Sequence, residues 1–431
     1  MRMSSAWVHA RWRWVAATTA AVVVVGLAVR AVASPDPPPG TPAGAAASRA
    51  GAPEPPASSP PSSATSVTAS VTPSASRSGP PVGGVEACVA STVAGLTLDE
   101  RVGQLLMVGT PVNGPRTLSS TVARSHLGGV FLAGRSSRPA VALRSDIDAL
   151  QHAADLPLLV ALDQEGGSVQ TLKGPDFPII GSAQRLGSGS AADLRAEAGD
   201  AARRLAAIGV TINLAPVADT VPTDVGERNP PIGAFHRQYG SDPDKVATDI
   251  RIVVAASQGA GVLTTLKHFP GLGRVRANTD TSTKAVDSTT SATDPNLTPF
   301  EAGISAGSAA VMVSSASYPR LDPDAIAAFS RPIITGLLRE RLGYAGLVMS
   351  DDLGAADAVG SVPIGQRAVR FVRAGGDLVL TVRPQDAVPM SRGLISAVRA
   401  SSAFDARVTD AARHVVRSKY RAGLLKCPAA R

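Results

Sequence analysis

The chain has 431 residues, of which 44% are hydrophobic and 18% charged; that is enough apolar content for a sizeable core and excludes disorder throughout. It carries 42 Lys+Arg against 34 Asp+Glu, a formal +8, a balance that suggests nucleic acid until its distribution is read. Residues 1–84 hold six basic and two acidic residues, while the other 347 hold 36 and 32 with no Lys/Arg-rich run, so no nucleic-acid partner is expected.

Arg2, Arg11 and Arg13 precede the apolar run Val15–Val29, and Ala31-Val32-Ala33 is a small-x-small pattern. This is the order of a secretory signal, and its run is short for a spanning helix, which needs about 20 residues. Residues 1–33 are therefore read as a signal peptide or, if uncleaved, a membrane anchor. No Cys follows the run, so a lipid-modified N-terminal Cys is not expected. All three tryptophans, Trp7, Trp12 and Trp14, lie in this segment, so a cleaved domain should lack tryptophan emission. Residues 34–84 are almost entirely Pro, Ser, Ala, Gly and Thr. Without apolar periodicity such a stretch cannot offset its ordering entropy, and it reads as a disordered linker, either a spacer or a low-complexity remnant. An extracytoplasmic location, secreted or anchored at the cell envelope, follows.

The folded part is expected over 85–431. Both cysteines, Cys88 and Cys427, flank it. In an exported chain they are expected to pair; two unpaired buried thiols are the alternative. Eight short runs rich in Val, Leu and Ile recur between residues 100 and 381: Gln104–Gly109, Gly129–Leu132, Leu158–Leu162, Thr211–Ala215, Leu263–Lys267, Ala310–Ser314, Gly346–Ser350 and Asp377–Thr381. Most do not alternate with polar residues, as expected of parallel strands buried on both faces. Helices are expected between them at Pro139–Ala153, Ala191–Ile208, Pro243–Gly259, Pro299–Gly307, Pro323–Leu342, Ile364–Ala374 and Asp386–Arg399, with a last one at Asp405–Leu425. Asp242-Pro243 and Thr298-Pro299 read as helix starts. Eight alternating units in this length predict an α/β fold, a single (β/α)8 TIM-type barrel; a doubly wound sheet is the alternative, but no Gly-x-Gly-x-x-Gly follows the first strand.

In such a barrel chemistry sits at the strands' C-terminal ends. The third run leads into Asp163-Gln164-Glu165-Gly166-Gly167 and the fourth toward Asp219. The fifth ends in Lys267-His268 and the seventh in Ser350-Asp351-Asp352. A single Asp after a strand is commonly a helix cap; four converging polar ends point to a site. Carboxylates beside a Lys-His pair, without a dense His/Cys set, suit sugar chemistry better than a metal centre. No metal or other cofactor is expected. His126, His152 and His414 read as structural, whereas His236, beside Arg237, can line the mouth. Few aromatics remain for stacking a long polysaccharide, which favours a short glycan or terminal sugar.

VALDQEGGSVQ (160–170), NLAPVAD (213–219), KHFPGLG (267–273) and VMSDDL (348–353) resemble glycoside hydrolase family 3, closest to its single-domain β-N-acetylglucosaminidases. The resemblance extends over roughly 98–425. It implies a retaining mechanism with Asp351 as nucleophile and Asp163, Arg237, Lys267 and His268 as substrate-binding residues. Asn278-Thr279-Asp280 falls where the family places an Asp-Ser/Thr-His dyad, which makes Asp280 the candidate acid/base. Ser168 replaces a usual Arg and Ser315 a common His. The implied partner is a carbohydrate, a peptidoglycan-derived or other envelope glycan. The protein is expected to act as a monomer that releases terminal β-linked N-acetylhexosamine or a related sugar. A barrel that only binds or scaffolds glycans, its altered acid/base loop being inactive, remains open at this point.

Overall fold

The structure, a computed structural model, describes residues 82–427. The expected signal or anchor segment (1–33) and nearly all of the expected linker (34–84) lie outside the described residues. Among the described residues no helix is long and apolar enough to cross a membrane.

Eight parallel strands form the centre: β1 (Leu106–Pro111), β2 (Gly129–Ala133), β3 (Leu159–Leu162), β4 (Ile212–Asn213), β5 (Leu263–Phe269), β6 (Ala310–Val313), β7 (Leu347–Ser350) and β8 (Val379–Thr381). Their order around the sheet is β7-β6-β5-β4-β3-β2-β1-β8. The remaining gap is narrow. A bridge joins Met349 to Leu378, and Leu380 N–H donates to Ser350 Oγ at 2.9 Å. The sheet is thus a nearly closed barrel of the TIM type.

Successive side chains of a strand face opposite ways, and both faces here are dry. Leu106 and Val108 of β1 belong to the layer packed under the helices, whereas Met107 belongs to the barrel interior with Phe131, Leu159, Ile212, Met312, Leu347, Met349 and Leu380. This explains why the strands read as unbroken apolar runs rather than alternating ones. Truncating one of these fully buried side chains to Ala costs about 2–5 kcal/mol. Val415 joins the interior cluster from the last helix and closes the strands' N-terminal end.

The helices on the outside are largely those expected. Helix Ala191–Ala207 is capped by Ser190 and helix Pro243–Gly259 by Asp242 with Pro at its first position. The last helix, Ser402–Arg421, starts three residues earlier than the pattern suggested because Ser401 Oγ accepts from Phe404 N–H. Three helices not anticipated, Val82–Ala94, Leu98–Gly103 and Ser119–Ser125, precede β2. The first packs on the last helix, where Cys88 and Cys427 are disulfide-bonded with Cα atoms 5.7 Å apart. The expected helix Pro323–Leu342 is different. Its first part is a strand, Asp322–Ile326, paired with Ser317–Tyr318; a single 3-10 turn, Ala327–Phe329, follows, and the continuous helix runs only over Pro332–Arg341. Ser330 causes the delay: its Oγ donates to Asp322 and accepts from Ile333 N–H, which caps the helix there.

Candidate active site

The mouth is built by the strands' C-terminal ends. After β3 the chain turns back on itself in a hairpin, Gln164–Gly166 against Val169–Gln170. Gly166 has φ +104°, and a Cβ there would lie 2.3 Å from Gly181 O, so no other residue fits the turn. This hairpin sends the Asp163 and Glu165 side chains to one partner. Lys267, at the end of β5 and 2% exposed, places Nζ 2.7 Å from Asp163 Oδ1 and 2.5 Å from Glu165 Oε1. Burial alone would lower its pKa, but the two carboxylates hold it above the usual lysine range.

Glu165 has a second cation. Arg237 Nε and Nη2 donate to its two oxygens at 2.9 and 2.7 Å, a bidentate pair. Burial pushes the Glu165 carboxyl up, yet Arg237 and Lys267 outweigh it and bring the pKa down to about 2. Both expected sugar-binding cations are therefore held by this carboxylate, a role the sequence does not mark. Arg237 comes from the loop after β4. Buried Asn229 staples that loop: its amide donates to Leu272 and Val275 carbonyls (2.7 and 2.8 Å), and its oxygen accepts from Ile232 and Gly233 N–H. A lone Asn between Arg228 and Pro230 carries no signal that would have identified it.

His268 is oriented by Asp219. The Asp219 carboxylate, fully buried, pairs with Nδ1 at 2.7 Å and accepts from the His268 and Leu272 backbone N–H groups. Arg237 Nη2 stands 3.4 Å from Nε2. With a carboxylate on one nitrogen and a cationic donor on the other, the proton belongs on Nδ1. The strand-end carboxylate Asp219 thus sets the imidazole.

On the far side, Asp351 follows β7. Its Oδ1 accepts from Asp352 N–H at 2.8 Å, and its Oδ2 has no hydrogen-bond partner among the described residues. Asp352 is spent on structure, accepting from Val382, Gly354 and Ala355 N–H groups. The two adjacent carboxylates are thus sorted: one caps a turn and one stays available. Asp280 lies in the loop after β5. Asn278 Oδ1 accepts Asp280 N–H at 2.9 Å, an Asx turn that presents the carboxyl. More than a third of Asp280 remains open to solvent, but crowding by protein and then the Asp351 and Asp352 charges push its pKa up to about 6, against Arg237 and His268.

The two sites of departure are also placed. Ser168 Oγ lies 3.4 Å from the Phe235 carbonyl, and Ser315 Oγ, on a residue 1% exposed, is buried without a partner among the described residues. Of the other histidines, His126 pairs with Asp155 (2.6 Å), His152 with the Asp148 carbonyl and His414 with Asp377. Glu100, His126 and Asp155 form a group of metal-ligand types among the described residues; all three precede strands, on the end of the barrel opposite the mouth.

The comparisons with known proteins match this geometry. The family model described as Glycosyl hydrolase family 3 N terminal domain matches residues 97–418. A beta-hexosaminidase of Xanthomonas euvesicatoria pv. vesicatoria is 37% identical over 253 residues, covering 55% of this chain and 71% of that one. The crystal structure of a beta-N-acetylhexosaminidase from Beutenbergia cavernae superposes with a TM-score of 0.74 at 44% identity, covering 76% of this chain and 99% of that one. A family 3 beta-N-acetylglucosaminidase from Paenibacillus sp. gives 0.70 at 29% identity, covering 78% and 64%. This chain belongs to glycosyl hydrolase family 3 and is a glycoside hydrolase.

Proposed function

We propose that the enzyme releases terminal β-linked N-acetylhexosamine from short cell-envelope glycans by a retaining mechanism, acting outside the cytoplasm. The observation that carries the reading is an Asp351 oxygen without a partner among the described residues, facing an Asp280 carboxyl whose pKa is raised by burial and then by the Asp351 and Asp352 charges. Asp351 attacks the anomeric carbon while protonated Asp280 gives its proton to the departing oxygen, which forms a glycosyl ester on Asp351. That ester is neutral. One of the charges holding the Asp280 proton is then gone, and Asp280 becomes the better base for activating water in the second step. The Lys267 and Arg237 donors, the His268 imidazole and the part-exposed Asp163 carboxylate face the sugar hydroxyls. The preference for N-acetylhexosamine draws on the names of the relatives, and the envelope location on the N-terminal sequence.

Asp351→Asn tests this. It should abolish turnover of aryl β-N-acetylglucosaminide, and a 2-fluoro or 5-fluoro sugar should label the parent enzyme at Asp351. Retained turnover in the variant removes Asp351 from the nucleophile role.

A further inference from the structure

Among the described residues Phe235 is the one aromatic side chain counted as exposed, at 38%. Phe269, Phe300 and Phe371 are fully buried, and Phe131, Phe177 and Phe404 nearly so. A single surface apolar residue is ordinary, but this one is not on a loose loop. It ends a short 3-10 turn, Gly233–Phe235, and His236 follows in the left-handed region with φ +55°. Asn229 O accepts Ala234 N–H, Ile232 O accepts Phe235 and Arg237 N–H, and His236 O accepts Gln184 N–H. Ser168, from the hairpin after Asp163, reaches the Phe235 carbonyl. The backbone thus holds an exposed ring two residues from Arg237, whose guanidinium lies against Glu165 and His268.

We propose that Phe235 forms the subsite for the second sugar of the substrate, the one that departs. The proposal rests on the reading of the Asp163–Lys267–Arg237 group as the site of the terminal sugar. A pyranose presents an apolar face of C–H groups that covers an aromatic ring and removes it from water, and its rim of hydroxyls needs polar neighbours. Both are here. Arg135 Nη2, at the end of β2, donates to the Ser168 carbonyl and sits on the same rim. His236 follows Phe235 in the chain, with its Nε2 3.6 Å from Glu227 and both of those side chains open to solvent. The four other exposed large apolar residues, Val141, Ile179, Val286 and Val388, are aliphatic and offer no ring face. The favoured substrate is then a disaccharide or longer, with affinity for the leaving sugar placed on this ring.

Phe235→Ala and Phe235→Trp test it with two substrates, the β-1,4-linked N-acetylglucosamine disaccharide and β-N-acetylglucosaminyl fluoride, which has no second sugar. The ratio of their kcat/KM values should fall about tenfold or more in the Ala variant and return to the parental level in the Trp variant. A ratio within twofold of the parent, or a Trp variant as impaired as Ala, overturns the proposal. Binding is read separately by calorimetry in an Asp351→Asn background. There the Ala change should weaken disaccharide affinity about tenfold, and an unchanged affinity, or no disaccharide binding by Asp351→Asn itself, overturns the subsite. Should the parent turn over neither compound, the mechanism above fails while the calorimetry still decides on Phe235.

Discussion

Asp357 donates its backbone N–H to the Asp280 carbonyl across 3.2 Å, and Ala358 does the same for Thr279. The loop carrying Asp280 and the loop that follows Asp351 are therefore bonded to each other rather than independently placed. At its other end the Asp280 loop is tied down by Ala285 and Asp287, which exchange backbone hydrogen bonds with Ser317. An aspartate is shorter than the histidine usual at this position in the family, and the loop that carries it is laced at both ends.

Asp280 should set the upper pH limit of activity. Its carboxyl has to be protonated to act as an acid, and its pKa in the fold is raised from 3.8 to about 6. The protonated fraction is therefore lost as pH rises through about 6, and kcat/KM should fall about tenfold per unit above it. Asp280→Ala should remove this limb and slow sugars with poor leaving groups at least about a hundredfold more than 2,4-dinitrophenyl glycosides. Equal effects on both would exclude the acid role.

Asn278 should matter through the turn it forms and not through its own chemistry. Asn278→Ala deletes the bond to Asp280 N–H and should lower kcat for poor leaving groups about three- to tenfold. Asn278→Asp keeps an acceptor oxygen at the same place and should keep most of the activity. Steady-state kinetics of the pair will show whether the acceptor is what counts.

Removing the charge of Lys267 should cost stability as well as activity. Lys267→Met leaves Asp163 and Glu165 facing each other, one of them deeply buried, with an expected loss of about 3–5 kcal/mol in urea unfolding. Adding Glu165→Gln should restore part of it. Glu165 also gives a pH signature. Its pKa is 4.5 unfolded and about 2 folded, so its contribution is complete above about 4.5 and is lost as pH falls toward 2. The Glu165→Gln variant should show a flatter acid limb in its melting temperature.

Lys419 in the last helix is wholly buried, and its one side-chain partner among the described residues is Gln104 Oε1 at 2.5 Å. Burial lowers its pKa from 10.5 to about 7. Between those values the unfolded chain holds the proton and the fold does not, so stability rises with pH from about 7 to 10.5. Lys419→Met should raise the melting temperature by at least about 2 °C at pH 7 and remove that slope. A lowered melting temperature at every pH would show that the amine is needed for its bond to Gln104.

The barrel was legible because its strands are dry on both faces and its helices carry their own punctuation, such as Ser190 and Asp242-Pro243. The short helices before β2 were not. The capping box of Thr97 and Glu100 starts a helix of only six residues, too brief for periodicity to register. Pro323–Leu342 looked helical because its apolar spacing is right, but the Asp322–Ser330 hydrogen bond holds the first residues extended. At the site, motifs named the side chains expected to meet sugar, whereas the parts of Glu165, Asp219 and Asn229 in holding those side chains in place show only in the folded chain. Their long-range partners lie 43 to 102 residues away in the chain, and no local pattern records such pairings.

The Cys88–Cys427 bond joins positions 339 residues apart. Mechanically it makes the barrel a ring with a single handle. A pull on the chain ahead of Cys88 arrives simultaneously at the first helix and at the end of the last one, so neither can be peeled away while the sulfurs stay joined. Load applied at the two chain ends would pass from one sulfur to the other and bypass the strands and the catalytic mouth between them.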